Sequence, residues 1–227
     1  MDIVYPVRDG DHNPELRYSL RSLVNIPHDR VWIVGYKPEW VKNVSFIPGN
    51  TATTYQARVY QNIMKACANT EISNHALIFN DDFYITAPVE SMPMLYRGSL
   101  VDHLATPRVS GKPDSWWSQS LKTTMVALQA HGHNNPASYE LHVPIPVNRR
   151  KMLEVLAKFS HVTPDNPPQW RTLYGNMTHA PARRHPDVKE ARSASLHEPY
   201  HSTHDKGFPV AEPALDRLFP EPCIYER

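Results

Sequence analysis

Cysteine and glycine are scarce in this 227-residue chain. It holds only two Cys, at positions 67 and 223, and eight Gly. Two thiols far apart, in no metal-like spacing, exclude a disulfide scaffold and a zinc-finger-type module, and read as free thiols of a reducing compartment. No apolar run approaches the roughly 20 residues that span a bilayer. The opening "MDIVYPVRDG" has neither the basic region nor the apolar stretch of a signal peptide, so a cytoplasmic location and no membrane partner are expected. Charge of one sign is also missing. Lys plus Arg (24) balance Asp plus Glu (23) to a net +1, which leaves no broad footprint for nucleic acid or membrane. There is no internal repeat.

What is present is a substantial core composition, 41% hydrophobic and 10% aromatic, together with 22 Pro, many of them after Pro164. The last third should therefore be extended and loop-rich, held by contact with the rest. "DIVYPV" reads as a short buried strand ending in a polar turn, Arg8-Asp9-Gly10-Asp11. Asn13-Pro14-Glu15 then starts a helix, with Asn as N-cap, Pro in the first turn and an acid behind it. Leu16, Leu20 and Leu23 would face a sheet, and Arg17 and Arg21 form a second stripe, of which at least one is expected to be solvated. "RVWIVG" is the next strand. Strand, helix, strand within about 35 residues is the unit of a parallel sheet. A short strand "NVSFIPG", a helix "TYQARVYQNIMKACANT" and a strand "HALIF" follow, and "FYITAPV" continues beyond.

Between the last two lie Asn80, Asp81 and Asp82. Adjacent carboxylates between apolar runs repel each other and resist leaving water. A divalent cation would reconcile them, and hard oxygen ligands suit Mg²⁺ or Mn²⁺. The alternative is a β-turn in a hairpin, with solvated Asn and Asp. Ligands of open α/β sheets sit outside the carboxyl ends of the strands, where both Arg8-Asp9 and Asp81-Asp82 fall.

Downstream, "SWWSQSLKTTMVALQAHG" reads as a helix, and Trp116-Trp117 could stack on a sugar or simply pack. "YELHVPIPV" reads as an edge strand or extended segment in which Glu140 and His142 share a face. They could supply a base to an acceptor hydroxyl, with His142 alternatively a metal ligand or both a half-buried structural pair. Asn148 caps a helix "RRKMLEVLAKF", and "QWRTLYGNMTH" follows as a short helix or turn. There Arg171 and Asn176 could hold a phosphate and a sugar hydroxyl. The late His197, His201 and His204, after His185 in the same polar stretch, have a spacing that could bind a metal, but no Cys or tetrahedral pattern accompanies them.

Three segments, "DIVYPVRDGD", "ELRYSLRSLVNIPHDRVWIVGYKPEWV" and "LIFNDDFYI", come in order over the first 90 or so residues. Together they resemble the GT-A class of glycosyltransferases. More closely, they resemble the Stealth family of sugar-phosphate transferases and related phage-encoded glycosyltransferases. "ELHVPIPV" and "RTLYGN" match more loosely. The resemblance implies an α/β, GT-A-like (Rossmann-like) domain over residues 1–180, with a nucleotide-binding half to about 90 and an acceptor half beyond. An irregular Pro-rich segment, 181–227, would pack on it. It further implies a nucleotide-sugar donor held by Val7, Arg8, Asp9, Asn80, Asp81, Arg171 and Asn176. Mn²⁺ or Mg²⁺ would sit on Asp81 and Asp82, and catalysis would involve His142, Glu140 and Asp82. The expected activity is metal-dependent sugar transfer to a hydroxyl of a protein, a glycan or a modified DNA base, in the cytoplasm of a bacterial host if phage-encoded. Sugar-1-phosphate transfer to a glycan, and a nonenzymatic nucleotide- or glycan-binding protein of the same fold, stay open beside it.

Overall fold

The computed structural model describes residues 1–10, 12–190 and 192–227; Asp11 of the expected polar turn lies outside them. The first half runs β1 (Asp2–Val7), α1 (Pro14–Ser22), β2 (Val31–Gly35), β3 (Ser45–Pro48), α2 (Tyr55–Ala68), β4 (His75–Ile78) and β5 (Phe83–Ile85). Next come β6 (Leu95–Tyr96), β7 (Gly98–Ser99), α3 (Leu100–Ala105), α4 (Pro107–Ser110), α5 (Trp116–Gln129), β8 (Ala137–Ser138) and β9 (Ile145–Asn148). The chain closes through α6 (Arg149–Phe159), α7 (Trp170–Thr178), β10 (Arg183–Arg184), β11 (Lys189–Glu190), β12 (Tyr200–Thr203) and α8 (Phe208–Leu218).

The main sheet has the order β3-β2-β1-β4-β9, parallel except for the antiparallel edge strand β9. Every residue of β1 is buried, as expected of a central strand covered on both faces. From β1 the chain steps to β2 and β3 on one side, then crosses through α2 to β4 on the other. The carboxyl ends of β1 and β4 therefore flank a topological switch point, where open α/β sheets leave a crevice. One core layer joins α2, α6 and α7 to one face of the sheet through residues such as Tyr60, Ile63, Leu156 and Leu173. The other face is covered by α1 and β5, through Leu16, Leu20, Phe83 and Ile85.

The helices start where their caps dictate. Asn13 accepts from Leu16 N, Thr54 from Ala57 N, Ser115 from Ser118 N and Asn148 from Lys151 N. "FYITAPV" continues as β5, which pairs with β12 and, through it, β11 in a separate three-stranded sheet. One reading of the elements needs correction. In "YELHVPIPV" only β9 is strand. Leu141 N turns back onto Tyr139 O and the Glu140 carboxylate is drawn into α7, so the alternation that would put Glu140 and His142 on one face does not exist.

The residues past 180 are tied to the core by charge as well as by strand pairing. The Glu226 carboxylate is buried and accepts from Arg21 at 2.7 Å and from Arg17 at 2.9 Å. Burial pushes this carboxyl up, but the guanidinium of Arg21, the Cys223 N–H and Arg17 together hold it below its usual range. Neither arginine of that stripe is simply solvated. Among the described residues no helix is long and apolar enough to cross a membrane.

Gly175 is where α7 meets the irregular segment: a Cβ there would come within 2.4–2.5 Å of three ring atoms of Tyr139. Gly175→Ala should therefore lower stability by about 1–3 kcal/mol, the usual cost of overpacking. Urea denaturation checks this, and an unchanged midpoint would mean that the Tyr139 ring yields freely.

Candidate active site

A cleft of about 560 Å³ opens at the switch point. Its walls come from the ends of β1 and β4, the N-termini of α1, α2, α5 and α7, residues of the stretch from Arg97 to Lys112, Glu140 to His142, and the residues around β11 and after β12.

The acidic pair lies in a β-turn. Phe83 N donates to Asn80 O, so Asp81 and Asp82 are the turn's two central residues, between β4 and β5. The turn and the binding-site readings thus describe one object, but its carboxylates are half-buried rather than solvated. Asp81 Oδ2 accepts from Asn13 Nδ2 at 2.7 Å, so the N-cap of α1 spends one end of its amide on the helix and the other on the acid. Burial, and then the charge of Asp82, push the Asp81 carboxyl up, opposed by Asn13 and Arg8. Asp82 Oδ2 pairs with Lys189 Nζ at 2.9 Å, while its Oδ1 is buried with no hydrogen-bond partner. Glu15, in the first turn of α1, joins this group. Its carboxylate accepts from Thr203 Oγ1 at 2.8 Å, and burial together with the charges of Asp82, Asp81 and Asp205 pushes it up to about 7.

Deeper in the cleft, His142 Nδ1 lies 2.9 Å and 3.0 Å from the two oxygens of Asp187. Asp187 also accepts from the His142 backbone N–H and from Arg97 at 2.9 Å. Its own burial works the other way, yet these partners hold Asp187 far below the usual carboxylate range. Burial lowers His142, and Asp187 partly restores it. The bond to Asp187 fixes the tautomer with the proton on Nδ1, leaving Nε2 as the basic nitrogen. Glu140 is not the support of His142. Its Oε1 takes the backbone N–H and the hydroxyl of Thr172, because the turn that bends 139–141 carries it into the start of α7.

Arg171 is buried, with its guanidinium over Trp170 (4.6 Å) and Phe83 (5.2 Å). Nη1 donates to Val143 O, and Nη2 is buried without a partner. Burial lowers it to about 10 even with Glu140, Asp82 and Asp187 nearby.

The cleft thus brings together Arg8, Asn80, Asp81, Asp82, Glu140, His142 and Arg171. Three expected residues lie elsewhere. Asn176 spends its amide on Ala137 N, Ala137 O and Thr172 O, and so splices α7 to β8 as a structural group. Val7 is buried in the β1 core and does not line the cleft. Asp9 turns outward, mostly exposed, and pairs with Arg58 of α2 at 3.4 Å. Glu15, Asp187 and Lys189 also line the cleft and Asn13 braces Asp81, and none of the four was a candidate on sequence grounds. The available signal for Asp187 and Lys189 was the spacing Asp-x-Lys in an extended run, which places both on one face.

The residues fit a divalent cation in part. Two carboxylates offer hard oxygens, and one buried oxygen of Asp82 lacks a partner. Among the described residues no three His, Cys, Asp or Glu converge on a point, so an ion here would complete its shell with water and substrate oxygens, as Mg²⁺ commonly does.

No protein-family model matches the chain, and no match was found among curated proteins. Solved structures do match. A galactosyltransferase, LgtC, in complex with donor and acceptor sugar analogs superposes with a TM-score of 0.56 at 11% identity, over 100% of this chain and 98% of that one. An active-site mutant of LgtC gives 0.52 at 11% identity, over 96% of this chain and 95% of that one. The likeness shows the fold: the chain has the mixed α/β, mainly parallel GT-A architecture.

Glu15 yields a test of the site's electrostatics. Its carboxyl sits at about 7 in the folded protein against 4.5 ordinarily, so the folded state holds a proton that the unfolded chain has lost. That contribution is complete below about pH 4.5 and disappears as pH rises through 7. Glu15→Gln should therefore stabilise the protein by roughly 1–3 kcal/mol at pH 8 and change little at pH 4.5. Thermal melts of both proteins across that window check the sign; an equal effect at both pH values would contradict it.

Proposed function

We propose that the protein is a nucleotide-sugar-dependent glycosyltransferase that binds its donor at the switch point and transfers the sugar to an acceptor hydroxyl. The observation that carries this reading is the Asn80–Phe83 turn. It presents two restrained carboxylates, one with an unpaired oxygen, at the carboxyl end of β4 beside the end of β1. The structural neighbour crystallised with donor and acceptor sugar analogs has the same architecture, which supports a transferase over other users of a parallel sheet.

A nucleoside diphosphate brought to this wall meets Glu15, Asp81, Asp82 and Asp205, against Arg8 and Lys189. The like charges need a mediator. Asp81 and Asp82 would hold Mn²⁺ or Mg²⁺, which supplies positive charge to the leaving diphosphate. Asn13 orients Asp81 and Lys189 orients Asp82, so neither carboxylate has to be ordered on binding. Arg171, with an unspent Nη2, balances negative charge from the floor of the cleft. In the transfer itself, the bond between the anomeric carbon and the diphosphate oxygen breaks and a bond to the acceptor oxygen forms. His142 Nε2 takes the acceptor's hydroxyl proton. Asp187 is a positioning residue that holds the ring in the productive tautomer and stabilises the imidazolium.

Incubation with a panel of nucleotide sugars and Mn²⁺, followed by identification of the released nucleotide, tests the reaction type. The expected product is a nucleoside diphosphate. A monophosphate would replace glycosyl transfer by sugar-1-phosphate transfer, and donor binding without release under any acceptor would reduce the protein to a binding module. In the same assay Asp82→Asn should abolish the Mn²⁺-dependent thermal shift by donor while the protein stays folded; an unchanged shift would remove Asp82 from the donor site.

His142→Ala should cut turnover by about 10²–10⁴-fold with donor affinity nearly intact. Asp187→Asn should lower the pKa of His142, because the imidazolium loses its counter-charge, and so move the acidic limb of the pH–rate profile to lower pH. A profile unmoved by Asp187→Asn would show that His142 is not the base.

A further inference from the structure

The charged groups of the cleft are sorted along it. Ion pairs mark positions along it: Arg8 with Asp205, Lys189 with Asp82, and Asp187 with His142 and Arg97. Arg8, Glu15, Tyr55, Asp81 and Asp205 act on one another at one end. Asp82 links them to Lys189, Arg171, His142 and Asp187 in the middle. Asp187 links these in turn to Arg97, His103 and Arg108 at the far end. The first end is rich in carboxylates. The far end holds Arg97, Arg108 and Lys112, and among the described residues the cleft-lining carboxylate beside them is Asp187, already shared between Arg97 and His142.

Arg108 and Lys112 are exposed and form no ion pair among the described residues; the acids nearest in sequence, Asp102 and Asp114, do not line the cleft. The N-terminus of α5 opens onto the same wall with no acid in its first turn, adding positive potential. Burial and the charges of Arg97 and Arg108 keep His103 neutral, at about 4, so it contributes no charge of its own. Beside these cations stand Trp116 and Trp117, edge to face at 5.5 Å, both lining the cleft, with Trp116 50% exposed. The result is a half-exposed indole beside two cations that have no ion-pair partner among the described residues. It suits a ring with an apolar face and a negative substituent.

From this juxtaposition we propose that the far end of the cleft is an acceptor subsite selective for an anionic sugar, one bearing a phosphate or carboxylate. The sugar ring lies against Trp116, and its charged group lies on Arg108 and Lys112. The proposal rests on the donor occupying the acid-rich end, as in the proposed function. A polynucleotide is a poorer occupant, because long polyanions are held by many phosphate contacts and the protein's net charge is only +1.

Tryptophan fluorescence tests this directly, with glucose, glucuronic acid, glucose 6-phosphate and a ten-nucleotide single-stranded DNA as probes, each with the donor end saturated by nucleotide sugar and Mn²⁺. The two anionic sugars should bind at least about tenfold more tightly than glucose, since charge-assisted hydrogen bonds are the strong ones. Joint Arg108→Ala and Lys112→Ala, both at exposed positions, should erase that preference and leave the donor's thermal shift in place. A comparison of glucuronic acid with glucose 6-phosphate identifies which anion is preferred. Equal binding of glucose, no binding of any sugar, or a preference that survives the double substitution would each overturn the proposal, and tighter binding of the DNA would replace the sugar by a polynucleotide. Loss of the donor's thermal shift in the unaltered protein would count against the proposed function instead, whatever the sugars do.

Discussion

Two adjacent carboxylates must be kept at the end of a buried strand, and much of the site follows from how that is done. The Asn80–Phe83 turn cannot let Asp81 and Asp82 relax into water without giving up β5, whose Phe83 and Ile85 backbones are pinned by Ser19 and Ser22 of α1. The acids are instead satisfied from two directions. Asn13 reaches Asp81 from the cap of α1, and Lys189 reaches Asp82 from β11, more than a hundred residues away in sequence. Each partner is held by its own element, so the turn, the first helix and the C-terminal strands form one rigid frame around the crevice. One oxygen of Asp82 remains buried and unpaired within that frame. A buried oxygen of this kind is one that a water or an ion can satisfy.

The same frame explains why the C-terminal region is structured despite its proline content. β12 adds itself to β5, and Glu226 plugs the gap between Arg17 and Arg21. Thr203 closes on Glu15, and Asp187 closes on His142. The last third of the chain thus completes the cleft as well as the fold, contributing Asp187, Lys189 and Asp205 to its wall.

The first 85 residues were legible in the sequence because local and global signals agree there. Caps at Asn13 and Thr54, apolar runs in β1, β2 and β4, and a polar turn after each give the strand–helix alternation directly. The place of the acidic pair at a strand end was legible for the same reason, and its geometry, a turn with both carboxylates half-buried, joins two readings that the sequence had set against each other. The second half was less legible. The partners of Glu140, His142 and Asn176 are Thr172, Asp187 and Ala137, at separations from 32 to 45 residues, and no periodicity reports such contacts. Asn176 looked like a ligand-binding amide because an amide's hydrogen bonds are invisible until its neighbours are placed. Glu140 and His142 looked paired because strand alternation was assumed where a turn intervenes.

The central claim is that the crevice between the carboxyl ends of β1 and β4 receives a nucleotide sugar through a cation held by the acidic turn. A crystal structure of the protein soaked with Mn²⁺ and a non-transferable nucleotide-sugar analogue, with anomalous data collected for manganese, tests it most directly. The account predicts an anomalous peak within about 2.0–2.3 Å of an oxygen of Asp82, the orphaned Oδ1 first of all, with diphosphate oxygens completing the shell. A peak away from Asp81 and Asp82, or a nucleotide bound elsewhere on the sheet, would contradict it.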